Sequence, residues 1–436
     1  MTVRVAIVGS GPSGFYTADA LIKSGVDCEI DVIDRLPTPF GLIRAGVAPD
    51  HQKTKNVSRA YEKTALNDSV AYFGNVDVGK DVGIEDLKGL YDAVVLAIGS
   101  SYDRKLGVPG EDKKGVFGSA DFVGWYNGHP DFRDLEPDLN TKAVVVIGNG
   151  NVAIDCARVL VKTPDEMSTT DIATHAADAI HAAPLEDVYM VGRRGPVEAK
   201  FTNVELREMG ELQECTPIID AAKIPGEVPA EEEMSDRDRR LKDKNLGTLR
   251  SFVDAEPAGR KRRVHFQFYA SPVEILGEDM VKGIRLEKTE VRDGRAVGTG
   301  ETYDIPCGIV IPAIGYQGQP LDGVPFDERN GVIQNDEGRV SEGVYAVGWI
   351  RRGPTGVIGT NKHDGDAASR QIQEDCTDGG KAGRAGLKDL LTEKSVRWVD
   401  YSDWQKIDEA EKSTASEGAP RRKLTRIPEM LAALDG

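Results

Sequence analysis

"VAIVGSGPSGFY", residues 5–16, decides the fold. An apolar strand is predicted over Val3–Val8, a turn over Ser10–Ser13 and a helix over Gly14–Lys23. A second strand follows at Glu29–Ile33 and ends in Asp34, 20 positions after Gly14. The string Gly9-Ser10-Gly11-Pro12-Ser13-Gly14 is weak on its own. Between a strand and a helix, with an acid at the tip of the next strand, it is the unit that holds a dinucleotide. Gly9 permits the tight turn, Gly11 lets backbone approach a pyrophosphate, and Gly14 lets the helix pack close to the strand. The helix N-terminus then offers free N–H groups to the phosphates. Asp34 is placed to accept hydrogen bonds from a ribose diol.

The unit recurs about 140 residues downstream. A strand at Ala143–Ile147 runs into Gly148-Asn149-Gly150-Asn151-Val152-Ala153, and a helix continues to about Val161. Ala153 replaces the third glycine, a tolerated change. The next strand, Val188–Val191, is delayed by a polar, partly helical insertion at 163–187. It ends in Gly192-Arg193-Arg194 rather than in an acid. A carboxylate there would repel a 2′-phosphate, whereas guanidinium groups attract one and bind it two-pronged. The first unit therefore reads as a site for an adenosine with a free 2′-hydroxyl, as in FAD, and the second as a site for NADPH. The bland alternatives are a plain tight turn and a surface arginine pair.

At 436 residues the chain exceeds one small core, and two domains, or one domain with an insertion, are expected. Hydrophobic residues make up 39% and charged residues 29%, as in ordinary globular proteins. The net charge of −17 argues against nucleic acid as a partner. No apolar run approaches the ~20 residues of a membrane span. Because Val3–Val8 already reads as a core strand, no signal or transit peptide is expected, and the cytoplasm is the expected compartment. Cys28, Cys156, Cys215, Cys307 and Cys376 are scattered, without the spacing of a metal or cluster site, so no metal is expected.

Further strands are predicted at Asp92–Ile98, Ile309–Ile314 and Gly343–Val347, with helices at 366–376 and 384–392. Residues 264–307 alternate and suggest antiparallel strands. The apolar, Pro- and Gly-rich segment Leu36–Lys55 is expected to pack on something. The charged stretch 223–263 reads as a surface helix and loop, and the polar last 35 residues have Trp398 and Trp404 near them as candidate anchors.

Several stretches resemble one family. They are "VAIVGSGPSGFY" (5–16), "LPTPFGLIRAGVAPDH" (36–51), "FVGWYNGHP" (122–130), "VIGNGNVAIDCAR" (146–158), "VGRRGP" (191–196), "FTNVELRE" (201–208) and "VGWIRRGPTGVIGTNK" (347–362). "DWQKIDEAE" (403–411) and "PRRKL" (420–424) extend the likeness into the tail. Together they resemble the adrenodoxin reductase type of ferredoxin–NADP reductase, a flavoprotein with two dinucleotide-binding domains. The resemblance implies an α/β fold with two Rossmann-like three-layer domains, the NADPH domain inserted into the FAD domain. The implied limits are 1–103 and 308–436 for FAD and 104–307 for NADPH. The chain lacks the redox-active cysteine pair of disulfide reductases. It also carries Gly348-Trp349 where many relatives have Gly-Asp.

By matching, the resemblance places Gly9, Gly11, Ser13, Gly14, Asp34, Leu42 and Val78 at FAD, with Trp349, Gly356, Val357 and Ile358 lining the flavin. It places Arg104, Asn149, Gly150, Asn151, Val152, Arg193, Arg194 and Glu205 at NADPH. His51 and Glu208 are the matched polar pair near the nicotinamide and flavin, either relaying a proton or only orienting the ring. The implied activity passes electrons from NADPH through FAD to an iron–sulfur protein of the ferredoxin type, for a monooxygenase system. Arg237, Arg239, Arg240, Lys242, Lys244 and Arg250 are a candidate docking face for that acidic partner, diluted by Glu231, Glu232, Glu233, Asp236 and Asp238. Two other readings remain: an NADPH oxidase or diaphorase with a small-molecule or quinone acceptor, and a nucleotide-binding protein without turnover.

Overall fold

The computed structural model describes residues 2–229, 234–253, 255, 259–376 and 379–435. These form two compact units. The first comprises the described residues of Met1–Tyr102, Asn127–Pro130 and Tyr316–Gly436; the second comprises those of Asp103–Tyr126 and Asp131–Gly315.

In the first unit Val3–Val8 pairs in parallel with Cys28–Ile33 on one side and with Ala93–Leu96 on the other. Val70–Phe73 extends the sheet beyond Cys28–Ile33, and Val344–Ala346 extends it beyond Ala93–Leu96. The one antiparallel member is Arg339–Ser341 at the edge. The unbroken apolar character of the central strands follows from burial on both faces. Val5 and Ile7 pack with Phe15 and Leu21 of the helix Pro12–Lys23 and with Ala368 and Ile372 of the helix Asn361–Asp375. Ala6 and Val8, pointing the opposite way, pack with Leu87 of Ile84–Leu90 and Leu387 of Arg384–Glu393. The tail is part of this core: Tyr401, Trp404 and Ile407 of the helix Tyr401–Ser413 are buried in it, and Trp398 lies 6.4 Å from Phe73.

The second unit has a five-stranded parallel sheet in the order Ile309–Pro312, Ala143–Ile147, Asp187–Gly192, Arg262–Phe268, Cys215–Ile219. Ile309–Pro312 pairs in register with Val144–Ile147. It therefore belongs to this unit and not to the segment from 308 onward assigned to the FAD domain by resemblance; the chain leaves the unit after Gly315.

One strand expectation is corrected. Arg262–Phe268 runs parallel to both its neighbours, although its alternation suggested an antiparallel strand. Val264, Phe266 and Phe268 face a helical core, while His265 faces away and stacks 4.4 Å from Tyr189. The alternation reflects two unlike faces rather than strand direction. The antiparallel strands Ala270–Leu276, Gly283–Arg292 and Arg295–Pro306 form a separate sheet. Its Ile275, Ile284 and Leu286 pack on Val145, Ile147, Val191 and Val310, covering the parallel sheet where a helix layer is usual.

Glycine at 365 lets two helices of the first unit meet at backbone distance. A Cβ there would stand 2.8 Å from the backbone of Tyr16 and Thr17. Gly365→Ala should therefore lower stability by about 1–3 kcal/mol. Gly89→Ala, in a helix with nothing within 4 Å of the added carbon, should be neutral or stabilising by up to about 1 kcal/mol. Urea unfolding of the two variants checks the contrast.

Candidate dinucleotide sites

The first turn is built by exclusion of side chains. Gly9 has φ +109° and its missing Cβ would overlap the carbonyl of Ala97; a Cβ on Gly14 would overlap the carbonyl of Gly9 itself. The helix Pro12–Lys23 thus starts in contact with the strand end. Its N-cap is Gly11, no side chain caps it, and its first turn holds no acid. A Cβ at Gly11 would meet nothing within 4 Å, so the helix end faces open space. Asp34 closes the turn: one carboxylate oxygen accepts from the Ser10 N–H (2.9 Å) and hydroxyl (2.5 Å), the other from the Leu36 N–H (3.0 Å).

Two further segments of the same unit reach this helix end. Gly348, at the tip of Val344–Ala346, has φ +73°, and a Cβ there would stand 2.7 Å from Cβ of Ser13. Asp364 holds that tip by accepting from the Gly348 N–H (3.1 Å), Arg351 (3.1 Å) and Arg352 (2.6 Å). Trp349 follows, its indole N–H donating to the carbonyl of Thr355 at 3.2 Å. Gly356, at φ +84°, and Val357 lead into the turn Ile358–Thr360 and the helix from Asn361. The second segment is the loop at 36–51. The Phe40 N–H donates to the carbonyl of Ser10 (3.0 Å), and a Cβ on Gly41 would stand 3.0 Å from Cα of Gly11. Leu42 and Val357 are large apolar side chains left exposed. Val78 is half-buried beside the opposite core, and His51 precedes the short helix Gln52–Lys55. An uncapped helix end, a side-chain-free approach and exposed apolar side chains fit a pyrophosphate-bearing cofactor with a flat ring.

The second turn repeats the construction. Gly148 lacks a Cβ that would overlap the carbonyl of Ala313, and Gly150 again faces open space. The helix Asn151–Val161 has no side-chain cap and no acid in its first turn. Ala153 is buried in the core, which explains why a methyl is accepted at the third position. Asn149 and Asn151 organise the neighbouring loop. Asn149 folds over Gly192 where a Cβ would be, its carbonyl accepts from the Lys200 N–H (2.7 Å), and the Asn151 side chain accepts from the Thr202 N–H (2.8 Å).

At the strand tip the backbone of the arginine pair is pinned. The Thr289 hydroxyl donates to the Arg193 carbonyl (2.8 Å) and the Tyr269 N–H to that of Arg194 (3.2 Å). The Arg193 side chain is exposed, and that of Arg194 donates to the Gly294 carbonyl at 3.3 Å. Arg104 sits beside Gly315, its N–H donating to that residue's carbonyl at 3.0 Å.

Sequence reasoning missed the most buried charge of this unit. Arg158, 0% exposed, gathers three carboxylates on three nitrogens. Nη2 meets Asp155 at 2.8 Å, Nη1 meets Glu205 at 3.1 Å and Nε meets Glu208 at 3.5 Å. Asp155 shares the helix that opens at Gly150, while Glu205 and Glu208 come from Asn203–Glu208, so one guanidinium joins the nucleotide helix to the helix carrying both expected acids. A cationic residue three positions after an acid, inside an otherwise apolar helix face, was the available signal. His51 belongs to the first unit and Glu208 to the second.

Residues 3–194 match the family described as pyridine nucleotide-disulphide oxidoreductase. Curated relatives cover nearly the whole chain, among them the following two. NADPH:adrenodoxin oxidoreductase of Arabidopsis thaliana is 41% identical across 99% of this chain and 95% of its own. NADPH-ferredoxin reductase FprA of Mycobacterium tuberculosis is 42% identical across 98% of each. A solved structure described as Mycobacterium tuberculosis FprA in complex with NADPH superposes with a TM-score of 0.94, at 40% identity and 100% coverage of both chains. The fold and site thus define a two-dinucleotide flavoprotein oxidoreductase. The chain belongs to the adrenodoxin reductase-type ferredoxin–NADP reductases. Its five cysteines are all free, four of them buried.

Arg158→Met should leave the carboxylates around it without their shared cation and cost about 3–5 kcal/mol. Arg193→Met, on an exposed side chain, should change stability by less than about 0.5 kcal/mol. Chemical denaturation of the apoprotein measures both.

Proposed function

We propose that this enzyme is an FAD-dependent NADPH:ferredoxin oxidoreductase. The observation that carries the reading is the opposite charge at two equivalent strand tips: Asp34 in the first unit, Arg193 and Arg194 in the second. A carboxylate accepts from a ribose diol, and a guanidinium pair binds a 2′-phosphate. FAD, when bound, would supply the redox chemistry that links a two-electron nicotinamide to a one-electron iron–sulfur acceptor.

The protein's contribution is position and electrostatics. Gly9, Gly11, Ser13 and Gly14 hold the FAD pyrophosphate with Asp34 on its ribose, while Leu42, Val78, Trp349, Gly356, Val357 and Ile358 enclose the rest. Arg104, Asn149, Gly150, Asn151 and Val152 would hold NADPH with the arginine pair, and Glu205 would accept from a ribose 3′-hydroxyl. His51 and Glu208 are the polar groups assigned to the nicotinamide. Hydride transfer needs no general base, so orientation suffices, and a proton relay is the further role that histidine chemistry permits.

The acceptor is a ferredoxin-type protein, docking transiently by charge. The helix Asp236–Val253 supports this with Arg237, Arg240, Lys244 and Arg250 exposed. Arg250 and Arg239 are partly spent on carbonyls of residues 225–229, and Glu231, Glu232 and Glu233 lie outside the described residues. No described helix is long and apolar enough to cross a membrane. With its free cysteines the enzyme suits a reducing compartment, and we place it in the cytoplasm.

Arg193→Ala with Arg194→Ala should raise KM for NADPH about 10- to 100-fold and leave NADH nearly unchanged. Equal losses with both nucleotides would refute the 2′-phosphate assignment. Anaerobic NADPH should bleach the flavin, and cytochrome c reduction should rise when a ferredoxin is added and fall again with salt. Fast reduction of small quinones, with none of ferredoxins, would favour a diaphorase instead.

A further inference from the structure

Within the first unit, the loop that covers the FAD turn is held from the far end of the chain. The helix Leu42–Ala45 is a single turn, too short to be stable alone. It starts against Gly11 and follows Phe40, whose φ of +83° is costly for a residue with a side chain. Arg44 of this turn makes a two-pronged ion pair with Glu411 of the helix Tyr401–Ser413: Nη1 meets Oε2 at 2.9 Å, and Nη2 meets Oε1. Glu411 is 0% exposed. It also accepts from the Leu424 N–H at 2.8 Å and faces Arg421 at 3.4 Å. The Arg44 guanidinium lies 5.4 Å from the Trp404 ring, and that ring meets Phe40 edge-on at 6.0 Å. Buried Lys423 donates to the carbonyls of Arg44 (3.1 Å) and Asn127 (3.0 Å). Phe40, just before the turn, and Arg44, within it, therefore both rest on residues 404–423.

We infer that the C-terminal segment is a cofactor-retaining clamp, with Glu411 as its positioning residue, and that it sets the rate at which FAD leaves the first unit. The inference rests on the reading that this unit holds FAD. Phe40 and Gly41 stand against one side of the glycine turn, and Arg44, three residues beyond Gly41, is tied to Glu411, so a departure of FAD that displaces this loop would break the Arg44–Glu411 pair. A buried pair resists opening because each separated charge would be left desolvated.

The test is the rise in flavin fluorescence after dilution of holoenzyme into FAD-free buffer. Glu411→Gln keeps the shape and removes the charge, and should release FAD about 10- to 100-fold faster. With saturating FAD added, its kcat and its KM for NADPH should stay within about twofold of the parent, which a general loss of structure would not permit. Lys406→Gln, on the exposed side of the same helix, should leave release unchanged. Release at the parental rate from folded Glu411→Gln would overturn the clamp. If that variant does not fold, Lys423→Gln decides in the same way, with faster release supporting the clamp and unchanged release overturning it. A parent protein that carries no FAD would instead bring down the reading of the first unit, and the clamp with it.

Discussion

The first four N–H groups of a helix have no acceptor within the helix, and most helices cover some of them with a capping side chain. Several described helices of this protein lack such a cap, and two of them, Pro12–Lys23 and Asn151–Val161, open at a dinucleotide turn. Each begins at a turn where a Cβ would overlap a neighbouring carbonyl: Gly14 against Gly9 in one case, Gly148 against Ala313 in the other. The helix end is thereby pressed onto the strand tips, with nothing but backbone in front of it. A phosphate satisfies those donors and their dipole together. The positive φ of Gly348 and the placement of Gly41 beside Gly11 extend the same constraint to segments far away in sequence.

What differs between the two sites is what stands beside the turn. Asp34 is bound into its own turn through Ser10 and Leu36, so it braces the backbone while presenting a carboxylate. Arg193 and Arg194 are held through their carbonyls by Thr289 and Tyr269, which fixes where they start; the Arg193 side chain is exposed and that of Arg194 reaches the Gly294 carbonyl. Anion and cation thus sit at the same place in a repeated element. Around the second site the charge is balanced by burial: Arg158 shares its three nitrogens among Asp155, Glu205 and Glu208. A lysine would offer three donors on a single nitrogen, without the guanidinium's spread over three separate atoms.

Much of this was legible in one dimension. The strand–turn–helix units, the acid at 34 and the arginines at 193 and 194 all follow from local period and spacing. The short outer strands Val70–Phe73 and Cys215–Ile219 left no such trace, because a few residues carry too little pattern. Arg262–Phe268 misled for a different reason. Its alternation records a helical core on one side and a tyrosine–histidine stack on the other, and alternation says nothing about the direction of a neighbour.

The sequence by itself determined that there are two dinucleotide units and what charge each presents, since both are written within stretches of a few tens of residues where spacing and side-chain type suffice. Only the tertiary structure decided which charges are buried together. Arg44 and Glu411 are 367 positions apart, and Arg158 and Glu205 are 47 apart. No local period links such pairs. They are chosen by which surfaces the folded sheets and helices bring into contact, and by the free-energy cost of leaving any of those groups alone once water is gone.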